Sequence, residues 1–336
     1  MDALDRRLLN EIQKAVPLVS RPFRALGRTL GLPEAEVLRR VRRLKQEDII
    51  RQIGPIFSSR RLGYQSTLAA FRVEPERLDE VARVVSAHPG VSHNYSRDHA
   101  YNLWFTLTLP PNRDLEQAIA RLAAATGADD YLNLPSVRLF KIGVHFDLSN
   151  GSKETPEGKA QTGSPGADST AEPLVSDTPL TDFERDIVRV VQGDLPLVQQ
   201  PFQEAALKLS VTEAALLDGL HELHQRGVMR RLSAVLRHRR AGFTANGMGC
   251  WVVPNERIVE GGQAAAGFSA VSHCYQRPAY PPRWPYNLFT MVHGQSRQEV
   301  EGIVRQIADR IDPVDYIILY SQREYKKKRV RYFREA

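Results

Sequence analysis

The sequence has little cysteine and no long apolar run. Its 336 residues include two cysteines, Cys250 and Cys274, and neither stands in a Cys-x-x-Cys pair. Two isolated thiols exclude a disulfide framework and give no support to a zinc or iron–sulfur site. No apolar stretch approaches the roughly 20 residues of a membrane span, and the charged N-terminus, MDALDRRLLNEIQ, lacks a signal-peptide core. These absences predict a cytoplasmic protein without a membrane segment.

Positive charge exceeds negative charge in this chain. There are 46 Lys and Arg residues against 39 Asp and Glu residues, which gives a net charge of +7. An excess of positive charge attracts polyanions. Nucleic acid and a small molecule with many carboxylates both fit, and the composition leaves the two open.

The chain contains an internal duplication. The blocks at 17–23, 49–64 and 91–97 read PLVSRPF, IIRQIGPIFSSRRLGY and VSHNYSR, and they return as PLVQQPF, VMRRLSAVLRHRRAGF and VSHCYQR. Chance does not produce blocks that keep the same order and nearly the same spacing. Residues 149–179 separate the copies and are rich in Gly, Ser, Thr and Pro, which predicts a flexible linker.

Each copy is predicted to contain two domains. PEAEVLRRVRRLKQE opens with proline and acidic residues, which are helix-start signals, and IIRQIGPIF with the residues up to Tyr64 alternates like a β-hairpin wing. A ferredoxin-like β-α-β-β-α-β pattern follows and ends in one long strand, YLNLPSVRLFKIGVHFDL. The predicted fold is therefore α+β. It has winged helix-turn-helix domains at 1–63 and 180–242 and ferredoxin-like domains at 64–148 and 243–336.

This architecture resembles the Lrp/AsnC family, in which the second domain binds small effectors and pairs subunits. The motifs PLVSRPF, GVSHNYSRDHAYNLWFTL, LPSVRLFKIGVHFD, SHCYQRP and WPYNLFTMVHG are similar to those of siroheme decarboxylases. These are Lrp-like enzymes of the alternative heme and heme d1 pathways, and a fused chain resembles the single-chain form of heme d1 biosynthesis. The resemblance implies removal of carbon dioxide from the two acetate side chains of siroheme, on rings C and D.

The resemblance also implies how the chain works with its partners. Siroheme would be the substrate and didecarboxysiroheme the product, with no cofactor beyond the iron that siroheme carries. The two halves would pair within one chain. A homodimer, contacts with heme d1 pathway proteins, and a place in ordinary heme synthesis stay open. The C-terminal KKKRVRYF is a candidate for larger assembly.

A His-x-Tyr-x-Arg pattern occurs in both copies. Alternate residues of a strand share a face, so two rows are expected: His93, Tyr95 and Arg97, and His273, Tyr275 and Arg277. Histidine suits an acid that works near neutral pH, tyrosine can relay or orient, and arginine suits carboxylate anchoring. We therefore predict the histidines and tyrosines as catalytic and the arginines as substrate-binding. Shared descent without function is the alternative.

Further residues extend the predicted site. The other substrate-binding candidates are His99, Tyr101, Trp284, Tyr286, Arg138 and Arg323. Trp104, Trp284 and Phe289 could line the face of a tetrapyrrole, with core packing as the alternative. Solvent exposure is the alternative for the two arginines. His93, His99 and His273 are also eligible as an axial ligand of the substrate iron, because spacing does not separate a ligand from an acid. The insertion PPRWP makes the second copy unequal to the first.

A DNA-binding function is the main rival. The predicted recognition helix of the first copy carries Arg39, Arg40, Arg42, Arg43 and Lys45, whereas that of the second copy carries Glu213, Asp218 and Glu222. Two recognition helices of opposite charge make a poor operator-binding pair. DNA binding is therefore not predicted as the main role, and the arginine cluster is read as a solvated face or a contact to the other half. A tetrapyrrole-sensing regulator and a tetrapyrrole carrier without chemistry remain the rival functions.

Overall fold

The computed structural model describes residues 1–142, 179–236 and 245–334. Both halves have the same order of elements up to their last helix, after which the first half has two strands and the second has one. The first half contains α1 (Ala3–Lys14), α2 (Pro22–Leu30), α3 (Glu34–Gln46), β1 (Ile50–Phe57), β2 (Gln65–Arg72), α4 (Leu78–Ala87), β3 (Val91–Arg97), β4 (Leu103–Leu109), α5 (Leu115–Thr126), β5 (Asp130–Pro135) and β6 (Arg138–Ile142). The second half contains α6 (Asp182–Val191), α7 (Gln203–Lys208), α8 (Glu213–Gln225), β7 (Met229–Leu236), β8 (Ala245–Val252), α9 (Ile258–Ala266), β9 (Val271–Gln276), β10 (Leu288–Gly294), α10 (Arg297–Ile311) and β11 (Asp315–Lys327). The predicted linker, apart from Pro179, lies outside the described residues.

The helix-turn-helix parts of the two halves form one unit. A single apolar core joins them and includes Phe23 and Leu44 from the first half and Leu220 from the second. β1 pairs antiparallel with β7, so the two strands come from different halves. The predicted wing within the first copy is therefore wrong, because residues 59–63 form a turn and β1 finds its partner in the other copy. An isolated two-stranded hairpin is only marginally stable in water, whereas this ribbon packs on a shared core.

The arginine cluster of α3 is bound within the protein. Asp5, fully buried in α1, accepts from Arg40 at 2.8 Å and from Arg43 at 2.5 Å. Arg42 donates to the carbonyl of Leu197 at 2.6 Å, and Lys45 forms an ion pair with Asp194. The alternative of a contact to the other half is thus confirmed for Arg42 and Lys45. These charges hold the two halves together.

The ferredoxin-like parts share one sheet. The β-α-β-β-α-β order is confirmed in each half, but the strands follow the order β5-β2-β4-β3-β11-β8-β10-β9-β6. β11 pairs with β8 up to Tyr320 and with β3 of the other half from Ser321 onward. The long strand predicted to close the first copy is in fact two strands, β5 on β2 and β6 on β9 of the other half. Pro135 cannot donate a backbone hydrogen bond, so the ladder ends there and the chain crosses over.

The crossing strands curl the sheet. β5 and β6 lie at opposite ends of the strand order, yet only Ser136 and Val137 separate them. Three Cα steps of 3.8 Å bring these ends within about 11 Å of each other. Helices α4, α5, α9 and α10 cover the outer face. The inner face has a core of its own, with Trp104, Cys250 and Trp284, and strands of both halves contribute to it.

The C-terminal segment returns to the helix-turn-helix unit. The backbone N–H of Lys328 donates to the carbonyl of Ser92 at 2.7 Å. Tyr332 is buried in the helix-turn-helix core, with its hydroxyl 2.7 Å from Oγ of Ser59. The segment KKKRVRYF therefore ties the sheet to the helices within this chain, and its part in larger assembly stays a prediction. Among the described helices, none combines the length and apolarity needed to cross a bilayer.

The strand crossover can be tested at Phe140 of β6. Its ring packs against Gly262 of α9 so closely that a Cβ at Gly262 has no room, and only 7% of Phe140 is exposed. Phe140→Ala should lower the free energy of unfolding by about 3–5 kcal/mol, measured by urea denaturation. The exposed Val137→Ala should change it by less than about 0.5 kcal/mol. A loss below about 1 kcal/mol for Phe140→Ala would contradict the docking of β6 in the second half.

Candidate active site

Strand β3 directs the first row to the inner face of the sheet. Asn94 points outward, because its Nδ2 donates to the carbonyl of Ala82 in α4 at 3.1 Å. Its alternate neighbours His93, Tyr95 and Arg97 therefore face inward. The rings of His93 and Tyr95 are stacked, with centroids 6.3 Å apart and planes 24° apart. The predicted shared face is confirmed for this row.

Strand β9 repeats the arrangement in the second half. Cys274 points outward to α9, with its Sγ 3.5 Å from the carbonyl of Gly262. His273 and Tyr275 therefore face inward, and their rings are stacked at 6.3 Å and 18°. The guanidinium of Arg277 lies 4.7 Å from the ring centroid of Tyr275. Both rows thus present an imidazole, a phenol and a guanidinium to the same interior.

The two histidines are neutral at neutral pH. Burial lowers the pKa of His93 to about 4, and the positive charges of Lys327 and Arg51 act in the same direction. Burial lowers the pKa of His273 to about 4 as well, with His293 and His93 adding to the effect. A charge on His93 would disfavour a charge on His273, so both favour the neutral form together.

A serine hydroxyl holds each imidazole. Ser92 and Ser272 each lie in a β-bulge, one residue before the histidine. Oγ of Ser92 is 3.0 Å from Nδ1 of His93, and Oγ of Ser272 is 2.8 Å from Nδ1 of His273. With Nδ1 engaged in this way, Nε2 is the nitrogen left for a ligand.

His293 joins the site and was missed by the sequence analysis. It lies on the inner face of β10, and its Nε2 is 2.7 Å from Oγ of Ser272. Burial lowers its pKa to about 4, and Lys327 adds to this. The matching position of the first copy holds Thr108. A search for residues repeated in both copies therefore passes over this histidine.

Two guanidiniums lie deeper between the halves. Nη1 of Arg97 donates to the carbonyl of Leu319 at 2.8 Å, and Nη1 of Arg277 donates to that of Leu134. Burial lowers the pKa of each arginine to about 10, so both stay charged at neutral pH. The Nε of each is buried without a hydrogen-bond partner among the described residues. A buried cation with an unsatisfied donor is costly, and an incoming carboxylate relieves that cost.

The two phenols stay protonated. Burial raises the pKa of Tyr95, and the nearby carboxylate of Glu324 raises it further. Burial also raises the pKa of Tyr275. At neutral pH both hydroxyls can therefore donate hydrogen bonds, and neither acts as a base.

The β1–β7 ribbon adds one cation to each row. The charge of Arg51 acts on His93 and Tyr95, and the charge of Arg230 acts on Tyr275. Arg51 and Arg230 hold matching positions in the repeated blocks IIRQ and VMRR. That match was visible in the sequence, but nothing there showed that the ribbon reaches the sheet.

Four predicted binding residues belong to an aromatic cluster instead. His99 lies beyond the Arg97 end of β3, packed edge-on against Trp284 with centroids 5.5 Å apart. Trp284 is fully buried and lies 4.9 Å from Tyr286. The hydroxyl of Tyr101 donates to Asp130 at 2.6 Å. These side chains pack the two halves together, so we assign them to the core and not to the histidine group.

Arg138 and Arg323 lie on the wrong face for the predicted role. Arg323 is in register with Ser96 and binds Asp79 of α4 at 2.6 Å. Arg138 is in register with Gln276 at the matching place and is exposed. Both side chains belong to the helix-covered face. The prediction that they line the site is corrected accordingly.

An apolar cavity of about 270 Å³ lies elsewhere, inside the helix-turn-helix unit. Leu18, Leu195 and Phe202 are among its lining residues, and the inward rows do not reach it. Pockets for drug-sized ligands span roughly 300–1,000 Å³. A tetrapyrrole is larger than such ligands, so this cavity is not the candidate site.

Comparison with known proteins identifies the family. The AsnC-like ligand binding domain matches residues 61–141 and 240–326, and the siroheme decarboxylase NirDL-like HTH domain matches residues 5–51 and 184–230. The siroheme decarboxylase of Hydrogenobacter thermophilus is 45% identical over 98% of this chain and 95% of its own length. The chain belongs to the siroheme decarboxylase family. The resemblance drawn from the motifs is thereby confirmed.

Other members of the family show how the two halves relate. The siroheme decarboxylase alpha subunit of Desulfovibrio desulfuricans is 47% identical and spans 45% of this chain and 87% of its own length. One half of this chain thus corresponds to a separate subunit elsewhere. A crystal structure of the siroheme decarboxylase NirDL has a TM-score of 0.76 at 40% identity, over 99% of this chain and 95% of its own. A NirDL structure in complex with an iron-uroporphyrin III analogue has a TM-score of 0.75 at 38% identity, with the same coverage.

The buried histidines predict a pH-dependent stability. The unfolded chain protonates histidine near the ordinary pKa of 6.5, whereas His93, His273 and His293 take up protons only near 4 in the folded chain. The unfolded state binds more protons between these values, so the free energy of unfolding should be highest above 6.5 and fall as the pH drops toward 4. Urea denaturation at several pH values measures this slope.

A matched pair of variants isolates the histidine contribution to that slope. The triple variant His93→Gln, His273→Gln and His293→Gln should have a flatter dependence than the wild type. His221→Gln, at an exposed histidine of α8, should keep the wild-type slope. Equal slopes in the wild type and the triple variant would show that the three imidazoles are not held neutral.

Proposed function

We propose that this chain decarboxylates siroheme, releasing carbon dioxide from the two acetate side chains on rings C and D and giving 12,18-didecarboxysiroheme. The observation that carries the proposal is the pair of His-Tyr-Arg rows that face one interior. Membership of the siroheme decarboxylase family, with relatives that cover nearly the whole chain, supports the same reaction.

The charges of the interior suit a flat, multiply anionic ring. Arg97 and Arg277 lie at one end of the rows. Arg51 and Lys327 act on His93, and Arg230 acts on Tyr275. Guanidiniums bind carboxylates through paired hydrogen bonds. Arg97 and Arg277 would therefore hold carboxylates that stay on the ring. The iron arrives with the substrate, and we propose no cofactor of the protein itself.

When carbon dioxide leaves, the electron pair of the broken C–C bond needs an acceptor. Protonation of a ring carbon turns the macrocycle into that acceptor. The C–C bond to the carboxylate then breaks, and the electron pair forms an exocyclic methylene. This methylene gains a proton to become a methyl group as the ring carbon loses its own. Each decarboxylation thus consumes one proton in total.

His93 and His273 would deliver these protons. Their pKa near 4 in the free protein leaves them uncharged. Nearby anions favour the charged form of an imidazole, so carboxylates brought by the substrate raise the pKa. Substrate binding thus favours uptake of the proton that each row delivers. Tyr95 and Tyr275, protonated and stacked beside them, would donate hydrogen bonds that fix the acetate.

The regulator alternative is not favoured by the contacts of α3. Arg40 and Arg43 are engaged by Asp5, while Arg42 and Lys45 bind the other half. Each phosphate contact that such internal pairing removes lowers the electrostatic affinity for DNA. A tetrapyrrole carrier without chemistry would not need the two His-Tyr-Arg rows as proton donors.

Siroheme turnover tests the acid assignment. Anaerobic incubation with siroheme followed by mass spectrometry should show loss of two carbon dioxide units with the wild type. His93→Gln and His273→Gln should each slow this loss by about 10²- to 10⁴-fold, which is the usual contribution of a general acid. Siroheme of unchanged mass with the wild type would favour the carrier, and full activity in both variants would refute the acid roles.

The visible spectrum separates the acid from an axial ligand. If His93 or His273 ligates the siroheme iron, its replacement should shift the absorption bands of bound siroheme. We expect the bands to stay in place while the rate falls. A shifted spectrum in either variant would assign that histidine to the iron.

Substrate affinity tests the cations of the interior. Arg51→Gln removes a charge beside His93 and should raise the Kd for siroheme about 10- to 100-fold, as expected for a hydrogen bond to a charged group. Absorbance titration measures this. Arg138→Gln is the matched control, because that arginine lies on the outer face. Equal weakening by both substitutions would mean that overall charge, and not the site, governs binding.

A further inference from the structure

The second half has a chain of three side chains that the first half lacks. Oγ of Ser272 is 2.8 Å from Nδ1 of His273 and 2.7 Å from Nε2 of His293. One hydroxyl therefore bridges two imidazoles. All three residues lie within β9 and β10, which pair antiparallel, so the sheet fixes their spacing.

The first half keeps the serine and lacks the second imidazole. Ser92 contacts His93 as Ser272 contacts His273. Thr108 stands where the second half has His293, and its hydroxyl is 3.0 Å from that of Ser66. Thr108 thus turns away from the histidine row, and among the described residues no second imidazole contacts His93 through Ser92.

We propose that His293 is a positioning residue that passes protons through Ser272 to His273. This inference rests on the proposed decarboxylation. It implies that the second half delivers protons to the substrate more readily than the first half. The contact of His293 with the row runs through the hydroxyl of Ser272, so we assign its role through that residue.

The proton transfer balances along the chain. Protonated His293 gives its Nε2 proton to Oγ of Ser272, and Ser272 gives its own hydroxyl proton to Nδ1 of His273. His273 gives its Nε2 proton to the substrate carbon. The relay leaves neutral His293, an intact serine and His273 in its other neutral form. One proton enters the product for each carbon dioxide released.

The position of His293 suits renewed protonation of its imidazole from solvent. It lies at the end of β10, half-buried and two residues before the exposed Gln295. Among the charged and titratable groups that act on it or contact it through Ser272 are Lys327 of β11 and His273 of β9. A protonated His293 is therefore short-lived, which suits a group that passes its proton on.

Two substitutions break the relay at different links. His293→Thr installs the residue that the first half has at the matching place, and Ser272→Ala removes the bridging hydroxyl. Each should slow siroheme decarboxylation about tenfold or more and make the product with a single carbon dioxide lost accumulate. Thr108→Val is the control and should keep the wild-type rate and product ratio.

The double variant gives a readout that a structural role does not move. If the two residues act in one relay, His293→Thr combined with Ser272→Ala should be about as slow as either single variant. Independent effects would multiply and overturn the relay. Unchanged rates and product ratios in both single variants would also overturn it, provided that absorbance titration shows siroheme bound as tightly as by the wild type.

Two further outcomes complete the test. His293→Gln, which retains polarity, should slow turnover as His293→Thr does, and full activity in it would contradict the relay even if His293→Thr fails to fold. Absence of turnover in the wild type would instead refute the decarboxylase function itself. The two failures are therefore distinguishable.

Discussion

Strand β11 forms backbone hydrogen bonds in both halves, with β8 through Asp315–Tyr320 and with β3 through Ser321–Lys327. β5 and β6 make the same crossing in the opposite direction, around Pro135. This shared pairing brings β3 and β9 to one inner face, and with them the two rows. A sheet closed within each half would place His93 and His273 in separate domains. The site therefore depends on the crossover more than on any single side chain.

The interior formed in this way is electrostatically unusual. Histidines that burial keeps neutral lie beside cations, and the buried Nε donors of Arg97 and Arg277 find no partner in the described part of the chain. Such an arrangement costs stability in the free protein. Under the proposed function, the bound carboxylates of a polyanionic ring would offset that cost and would also raise the pKa of the histidines. Substrate binding and activation of the acid would then be two results of the same charges.

The duplication has produced related halves that are not equal. Thr108 of the first half corresponds to His293 of the second. Across the shared strands, Lys327 is in register with His93, whereas Ile142 is in register with His273. The first row thus has an additional cation, Lys327, and the second row has an additional imidazole, His293. Under the proposed function, a substrate with two chemically similar acetates would meet two different proton donors.

The sequence by itself determined the duplication, the order of elements and the inward rows, because period-two spacing along a strand dictates which side chains share a face. It did not determine where Arg138, Arg323 and the wing strand β1 would lie. A strand has two faces and two edges, and only its partners decide which face is covered by helices and which edge pairs. The roles of His293, Arg51 and Arg230 arise from contacts between elements far apart in the chain. Those contacts exist only once the final strands have crossed between the halves.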